Sequence, residues 1–313
     1  MQHIRSLETA EVSRPSLVTI GVFDGVHKGH QHLIRQMVSY ARSHDLLAVA
    51  LTFYPYPAMV IGGFQPGYYL TLPDAKARLL GELGIDLVVT HPFDDRVRHI
   101  RAADFVHSLI THLHMQALWV GADFALGYQR EGNVAFLQEQ AKQRGFDLRV
   151  VDLMDAGGEQ ISSSRVRAEL RQGDVQEAAR LLGRPYRLPG VVVEGAKRGH
   201  SIGIPTANLS IPEEQAVPAR GVYAGFARVD HEWQPAVVNI GHRPTFDGQQ
   251  GSIVVEAHLL DFDADLYGRE LELAFIARLR DEQTFAGVAD LLAQIRRDIA
   301  SARTLLSEHT REL

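Results

Sequence analysis

Five apolar runs rich in β-branched residues recur along the first half of the chain: Ser16–Phe23, Leu46–Phe53, Asp86–Phe93, Leu118–Phe124 and Phe146–Leu153, each parted from the next by a helix-like stretch. Runs with so little polar alternation suit strands buried on both faces, and the stretches between them supply crossovers, so the pattern predicts an α/β unit with a parallel sheet. Two of the helices are well marked. Ala75–Leu83 follows Pro73 and Asp74, good first-turn residues, and Ala102–Leu113 spaces its apolar positions by three and four.

From about Pro185 the period changes to short strand candidates punctuated by Gly, Pro and Asp: Gly190–Glu194, Gly221–Val229, Pro235–Ile240, Ile253–Leu260 and Glu270–Leu279. They predict a small antiparallel β-barrel. A closing helix, Phe285–Leu306, carries an apolar stripe of Val288, Leu291, Leu292, Ile295, Ile299 and Leu306 opposite Arg296, Arg297 and Asp298, and is expected to pack on that barrel. Gly183 and Pro185 stop the helical run Ala178–Leu182, which sets the boundary between domains 1–183 and 184–313. Two domains also suit a length of 313 residues.

Composition narrows the function classes. With no cysteine, disulfides and thiolate metal sites are excluded; the opening MQHIRSLETAEVSRP lacks a signal-peptide layout. No apolar run approaches the ~20 residues that cross a bilayer, so a soluble cytosolic protein without a membrane partner is expected. A net charge of -6 with the signs intermixed offers no broad basic face for nucleic acid.

The first strand ends in GVFDGVHKGH (21–30), a glycine-punctuated turn with a helix-like run, Gln31–Arg42, behind it. Ligands bind at such a place in α/β sheets, outside a strand's carboxyl end and at a helix's amino end. Gly25 and Gly29 allow backbone to approach a phosphate, the free N–H groups of the helix start favour negative charge, and His27 and His30 add donors. Attack of a phosphate on the α-phosphorus of ATP suits the layout, because charge develops on the transferred group and the leaving pyrophosphate. There is neither a GxGxxG after the strand nor a GxxxxGK[ST] anywhere, which counts against NAD enzymes and P-loop ATPases. A metal reading of His27, His30 and His32 is disfavoured because the side chains are expected to diverge. On the same domain ISSSRVR (161–167) opens a helix with hydroxyls able to cap it, Arg167 can clamp phosphate, and Asp123 lies in the GADF segment that ends another strand.

In the second domain the loop Gly195-Ala196-Lys197-Arg198-Gly199-His200 leads into Ile204-Pro205-Thr206-Ala207-Asn208. A glycine-spaced basic loop can wrap a triphosphate. Thr206 and Asn208 fall on one side of an extended segment, as hard oxygen ligands for Mg²⁺ carried by ATP. Glu256, in the strand Ile253–Leu260, is the candidate base for moving a phosphoryl group onto an alcohol.

Together GVFDGVHKGH, VGADF (120–124), ISSSRVR, GRPY (183–186), GIPTANL (203–209), GVYAG (221–225), NIGHRPTF (239–246), EAHLLDF (256–262) and DLYG (265–268) closely resemble the bacterial bifunctional riboflavin kinase/FMN adenylyltransferase family, over nearly the whole chain. The resemblance implies a Rossmann-like nucleotidyltransferase domain followed by a riboflavin kinase barrel, with riboflavin, FMN and FAD as substrates or products and Mg²⁺ with ATP. It implies that His27 and His30 stabilise adenylyl transfer, that Phe23, Asp24, Gly25, Gly29, Asp123, Ser163 and Arg167 surround that nucleotide, and that Gly195, Lys197, Arg198, Thr206 and Asn208 hold the kinase's. Glu256 is then the kinase base, and Arg280 and Phe285 belong to the segment that covers the flavin. Three places depart from the family pattern: Tyr54 and Tyr56 replace acidic and His or Gln positions, Leu126 replaces Phe, and His200 replaces Arg. The two tyrosines are expected at the rim of the first site, where they would reshape FMN binding. Narrower readings are a kinase with an altered first domain, and a flavin or nucleotide sensor without catalysis.

Overall fold

The computed structural model describes residues 1–151, 160–195, 204–242 and 253–309, and the chain clusters into two compact units. One comprises Met1–Gln65 and Tyr69–Ser163, the other Pro66–Tyr68 and Ser164–Leu313.

The strands of the first unit are β1 (Gln2–Ile4), β2 (Ser16–Ile20), β3 (Leu47–Tyr54), β4 (Leu87–Pro92), β5 (Met115–Gly121), the two-residue hairpin strands β6 (Ala125–Leu126) and β7 (Gly132–Asn133), and β8 (Asp147–Val151). Its helices are α1 (Lys28–Ser43), α2 (Pro57–Gly62), α3 (Pro73–Glu82), α4 (Asp95–Arg98), α5 (Ala102–Leu113) and α6 (Val134–Arg144). Six strands form one sheet in the order β1-β4-β3-β2-β5-β8, every neighbouring pair parallel. Alternate residues feed opposite faces: Val18, Ile20, Val49 and Leu51 join a core under α5 and α6, whereas Leu17, Ala48, Ala50 and Val88 join one under α1 and α3. That two-sided burial is why β2, β3, β4 and β5 read as continuous apolar runs, whereas the edge strand β8, expected to be buried like them, is largely exposed. The edge strand β1 is not among the sequence expectations, since three residues at an edge carry no period to read.

Order sets the site. From β2 the chain steps to β3 and β4 on one side, then crosses to β5 on the other, so the carboxyl end of β2 is a topological switch point.

In the second unit α7 (Ser163–Gln172, opening on the last residue of the first unit) and α8 (Val175–Leu182) precede a closed antiparallel barrel, followed by α9 (Val288–His309). The barrel strands are β9 (Tyr186–Val193), β10 (Ala207–Ser210), β11 (Gly221–Val229), β12 (Glu232–His242), β13 (Ile253–Leu259) and β14 (Glu270–Arg280), closing in the order β10-β13-β12-β11-β14-β9. Ala302 and Leu306 of α9 pack on Val222, Ala224, Phe226 and Ile276, so the helix covers the barrel as expected.

Two details of that helix differ from the sequence reading. Val288 is exposed, whereas Asp298, expected on the polar side, is buried. Its carboxylate takes Arg280 Nε at 3.0 and 3.1 Å and Nη2 at 2.8 Å, with Gln294 Nε2 at 2.8 Å. A buried carboxylate is tolerated where such partners compensate its lost hydration.

Candidate active sites

The loop after β2 departs from extended backbone at once: Phe23 (φ 47°), Gly25 (φ 73°) and Val26 (φ 42°) are all left-handed. The expected first strand therefore ends at Ile20 rather than Phe23. What bends it is Asp24, fully buried, whose carboxylate accepts from Leu70 N (3.0 Å), Thr71 N (3.0 Å) and the Tyr56 hydroxyl (2.9 Å). Around it Gly25 N donates to Thr71 Oγ1 (3.0 Å) and Ser163 Oγ donates to the Asp24 carbonyl (3.0 Å). The Asp24 side chain thus faces inward and braces the turn.

His27 follows as the N-cap of α1, its Nδ1 accepting from His30 N, so Gly29 and His30 lie within the first turn of the helix. The two imidazoles stack at 3.7 Å with 20° between their planes, and His30 meets the Phe23 ring edge-on at 5.3 Å. This corrects the expectation that these side chains diverge. No trio of His, Asp or Glu able to hold a metal occurs among the described residues. His30 Nδ1 is buried without a hydrogen-bond partner, and burial, with the charges of His27 and Lys76 adding to it, holds the ring well below its usual 6.5. A neutral imidazole with an unpaired buried nitrogen, at the positive end of the α1 dipole, is arranged for an anionic ligand.

The other expected members are placed as follows. Asp123 is exposed just past β5, and its carbonyl accepts from Arg130. Arg167 is 5% exposed in α7, its Nε donating to Tyr68 O at 2.6 Å and its guanidinium lying 3.9 Å from the Tyr68 ring centroid. Leu126 belongs to the core beneath α5. Tyr56 corrects a sequence expectation: it is 1% exposed, part of the loop's bracing rather than of an open rim, whereas Tyr54 remains half-buried against Tyr69.

In the barrel, register does what sequence separation hides. Asn208 on β10 pairs with Glu256 on β13, and Glu256 pairs with Asn239 on β12. Directly paired residues share a face, so one row across three strands carries two amides flanking a carboxylate. Thr206 precedes Asn208 by two in the extended chain, and Pro205 O is held by His258 Nδ1 at 2.7 Å. Gly195 lies under Asn208: a β-carbon there would stand 2.7 Å from Oδ1, with Nδ2 and Cγ closer still. Beside Thr206 a cavity of about 430 Å³ is lined by Pro205, Ala207, Leu259, Phe262 and Tyr267. Asn239 is not among the residues the sequence singled out. Glu282 is a second such residue, its carboxylate lying against Gly241. Arg280 is committed to Asp298 and stands 5.8 Å from the centroid of Phe285. Lys197, Arg198 and His200 lie outside the described residues.

A switch-point turn that presents stacked histidines at a helix start, and a barrel that aligns amides beside a glutamate, define a protein with two separate sites suited to phosphate chemistry. Comparison with known proteins agrees. The family model for FAD synthetase matches residues 9–165 and that for riboflavin kinase matches residues 182–306. Bifunctional riboflavin kinase/FMN adenylyltransferases are similar along almost their whole length: that of Pseudomonas fluorescens is 38% identical, covering 97% of this chain and 98% of its own, and that of Escherichia coli K12 is 38% identical over 92% and 91%. The Listeria monocytogenes relative is 34% identical over 93% of each chain. A solved structure of a macrolide-efflux protein from Streptococcus pneumoniae superposes with a TM-score of 0.86 at 29% identity, covering 96% of this chain and 98% of that one. The chain belongs to the bifunctional riboflavin kinase/FMN adenylyltransferase family. No helix among the described residues is long and apolar enough to cross a membrane.

Proposed function

We propose that the chain carries both activities of its family, phosphorylating riboflavin to FMN in domain 184–313 and adenylylating FMN to FAD in domain 1–183. The observation that carries the kinase half is the row Asn208, Glu256, Asn239. Glu256 takes the proton of the riboflavin 5′-hydroxyl as its oxygen bonds to the γ-phosphorus of ATP. The bond from that phosphorus to the β-phosphate oxygen breaks, and ADP leaves. Thr206 and Asn208 are oxygen donors of the kind that would hold an Mg²⁺ carried by ATP, which when bound would offset phosphate charge, and the close fit of Asn208 over Gly195 fixes that amide. The cavity beside Thr206, largely apolar with Asp263 and Asp265 in its wall, suits the nucleotide base, and the charges of Lys197 and Arg198 in the sequence suit its phosphates. Arg280 and Phe285, joined to α9 through Asp298, cover the flavin.

In the first domain a phosphate oxygen of FMN bonds to the α-phosphorus of ATP and pyrophosphate departs, with no covalent enzyme intermediate. His27 and His30, at the start of α1, donate to the oxygens on which charge accumulates. Gly25 and Gly29 leave room for the phosphates, Phe23 and Asp24 shape the turn, and Asp123 and Ser163 complete the nucleotide's surroundings. The bracing of the loop by Tyr56 supports an active first site, and so weighs against a chain reduced to kinase alone. The partners are small molecules, and the cytosol is the compartment in which they meet.

The test is a time course of purified chain with riboflavin, ATP and Mg²⁺, repeated from FMN. Both runs should yield FAD. FMN accumulating without FAD would remove the first activity, and no product in either run would remove the enzymatic reading.

A further inference from the structure

Lys76, on α3, is 1% exposed. Its Nζ donates to the Val22 carbonyl (2.9 Å), Thr52 Oγ1 (3.1 Å) and the Tyr56 hydroxyl (3.3 Å), and stands 4.6 Å from the centroid of the Tyr56 ring. Those three bonds use all the N–H groups an ammonium possesses, so none is left for a substrate. The Tyr56 hydroxyl in turn donates to Asp24 Oδ1 at 2.9 Å, and Thr52 Oγ1 donates to the same Val22 carbonyl at 3.1 Å. A fully desolvated lysine is costly: burial pulls its pKa from 10.5 to about 8, against the opposing pull of Asp24.

That cost falls at a strained place. Phe23 and Val26 are non-glycine residues with φ of 47° and 42°, and for a β-branched valine the left-handed region is a steric outlier of order 1–3 kcal/mol. Strain of this kind persists where the surroundings over-determine the backbone. Here the Val22 carbonyl is held by Lys76 and Thr52, the Asp24 carbonyl by Ser163, the Gly25 N–H by Thr71 and the Val26 carbonyl by Gln31 Nε2. The next residue is His27, the cap of α1 and the stacking partner of His30.

We propose that Lys76 is a positioning residue for adenylyl transfer: through the Val22 carbonyl and the Tyr56 hydroxyl it locks the strained turn that sets His27 over the start of α1 and against His30. Tyr56, which the sequence pattern marks as a departure from the family, is the link between the lysine and Asp24 and not a wall of the flavin pocket. The inference rests on the reading of this turn as the FMN-adenylylating site.

The experiment compares the full chain with its Lys76→Met and Tyr56→Phe variants, measuring kcat and KM for FAD formation from FMN, with riboflavin phosphorylation by the same preparations as an internal control. Lys76→Met should lower kcat roughly tenfold or more while KM for ATP stays within about threefold, because geometry is lost and no substrate contact is removed. Tyr56→Phe, which keeps the buried ring and deletes one hydroxyl, should move kcat the same way by a smaller factor, and riboflavin phosphorylation should be unchanged in both. A Lys76→Met chain with wild-type kcat overturns the proposal, as does one whose loss lies wholly in KM. Should Lys76→Met unfold the first domain, Tyr56→Phe decides, and a wild-type kcat there overturns the proposal. A wild-type chain that forms no FAD would instead overturn the reading of the site itself, before any variant is compared.

Discussion

Replacing Gly195 by alanine puts a β-carbon 2.7 Å from Asn208 Oδ1, with Cγ and Nδ2 nearer still. Ordinary contact begins at about 3.4 Å, so the carboxamide must retreat by about 1 Å. It is the end of a side chain and can yield, so the barrel survives with at most a modest loss of stability. Its position beside Glu256, fixed by register, does not survive. A displacement of that size in a phosphate-positioning group costs about a hundredfold, or about 2.7 kcal/mol of transition-state stabilisation. The assay is steady-state riboflavin phosphorylation by Gly195→Ala, with FAD formation from FMN in the same preparation as the control that the protein is intact. The first should fall about a hundredfold and the second should stay at the wild-type rate. Riboflavin phosphorylation within about threefold of wild type would mean instead that the Asn208 amide is not held against the reacting phosphates.

Asp298→Ala leaves the Arg280 guanidinium in a largely buried position without its carboxylate, and should destabilise the barrel unit by about 3–5 kcal/mol, measured by urea unfolding followed on that unit. Thr71→Val removes the acceptor of the Gly25 N–H, and should cost the sheet unit about 1–3 kcal/mol in the same measurement. Burial depresses the pKa values of His30 and His91 in the folded chain, so below pH 6.5 the unfolded chain binds protons that the folded chain refuses. Stability should therefore fall as pH drops below 6.5, by up to about 1.4 kcal/mol per pH unit for each histidine, and His30→Asn should make the slope shallower.

Much of the fold is legible in the sequence because two-sided burial writes itself as unbroken apolar runs, and the HxGH turn falls where a switch-point loop is expected. What escapes is long-range. Glu256 comes to Asn208 through barrel register, which no local period reports, and Asn239 joins them for the same reason. Asp298 has the helical phase of a solvated residue, and only the neighbouring β14 with Arg280 makes it an interior one. Lys76 is the sharpest case. In Ala75–Leu83 a lysine reads as surface, yet the helix aims it into a nest of carbonyl and hydroxyl oxygens supplied by β3 and by the loops after β2 and β3. Tyr56 likewise follows a strand end, where a rim position is the natural reading, and is drawn inside by Asp24.

Whether one chain holds two independent sites is decided by reciprocal variants. Glu256→Gln should form no FMN from riboflavin yet convert FMN to FAD at the wild-type rate, while a chain carrying His27→Asn and His30→Asn should convert riboflavin to FMN and stop there. Loss of both reactions in either folded variant, or retention of both, would contradict the independence of the two sites.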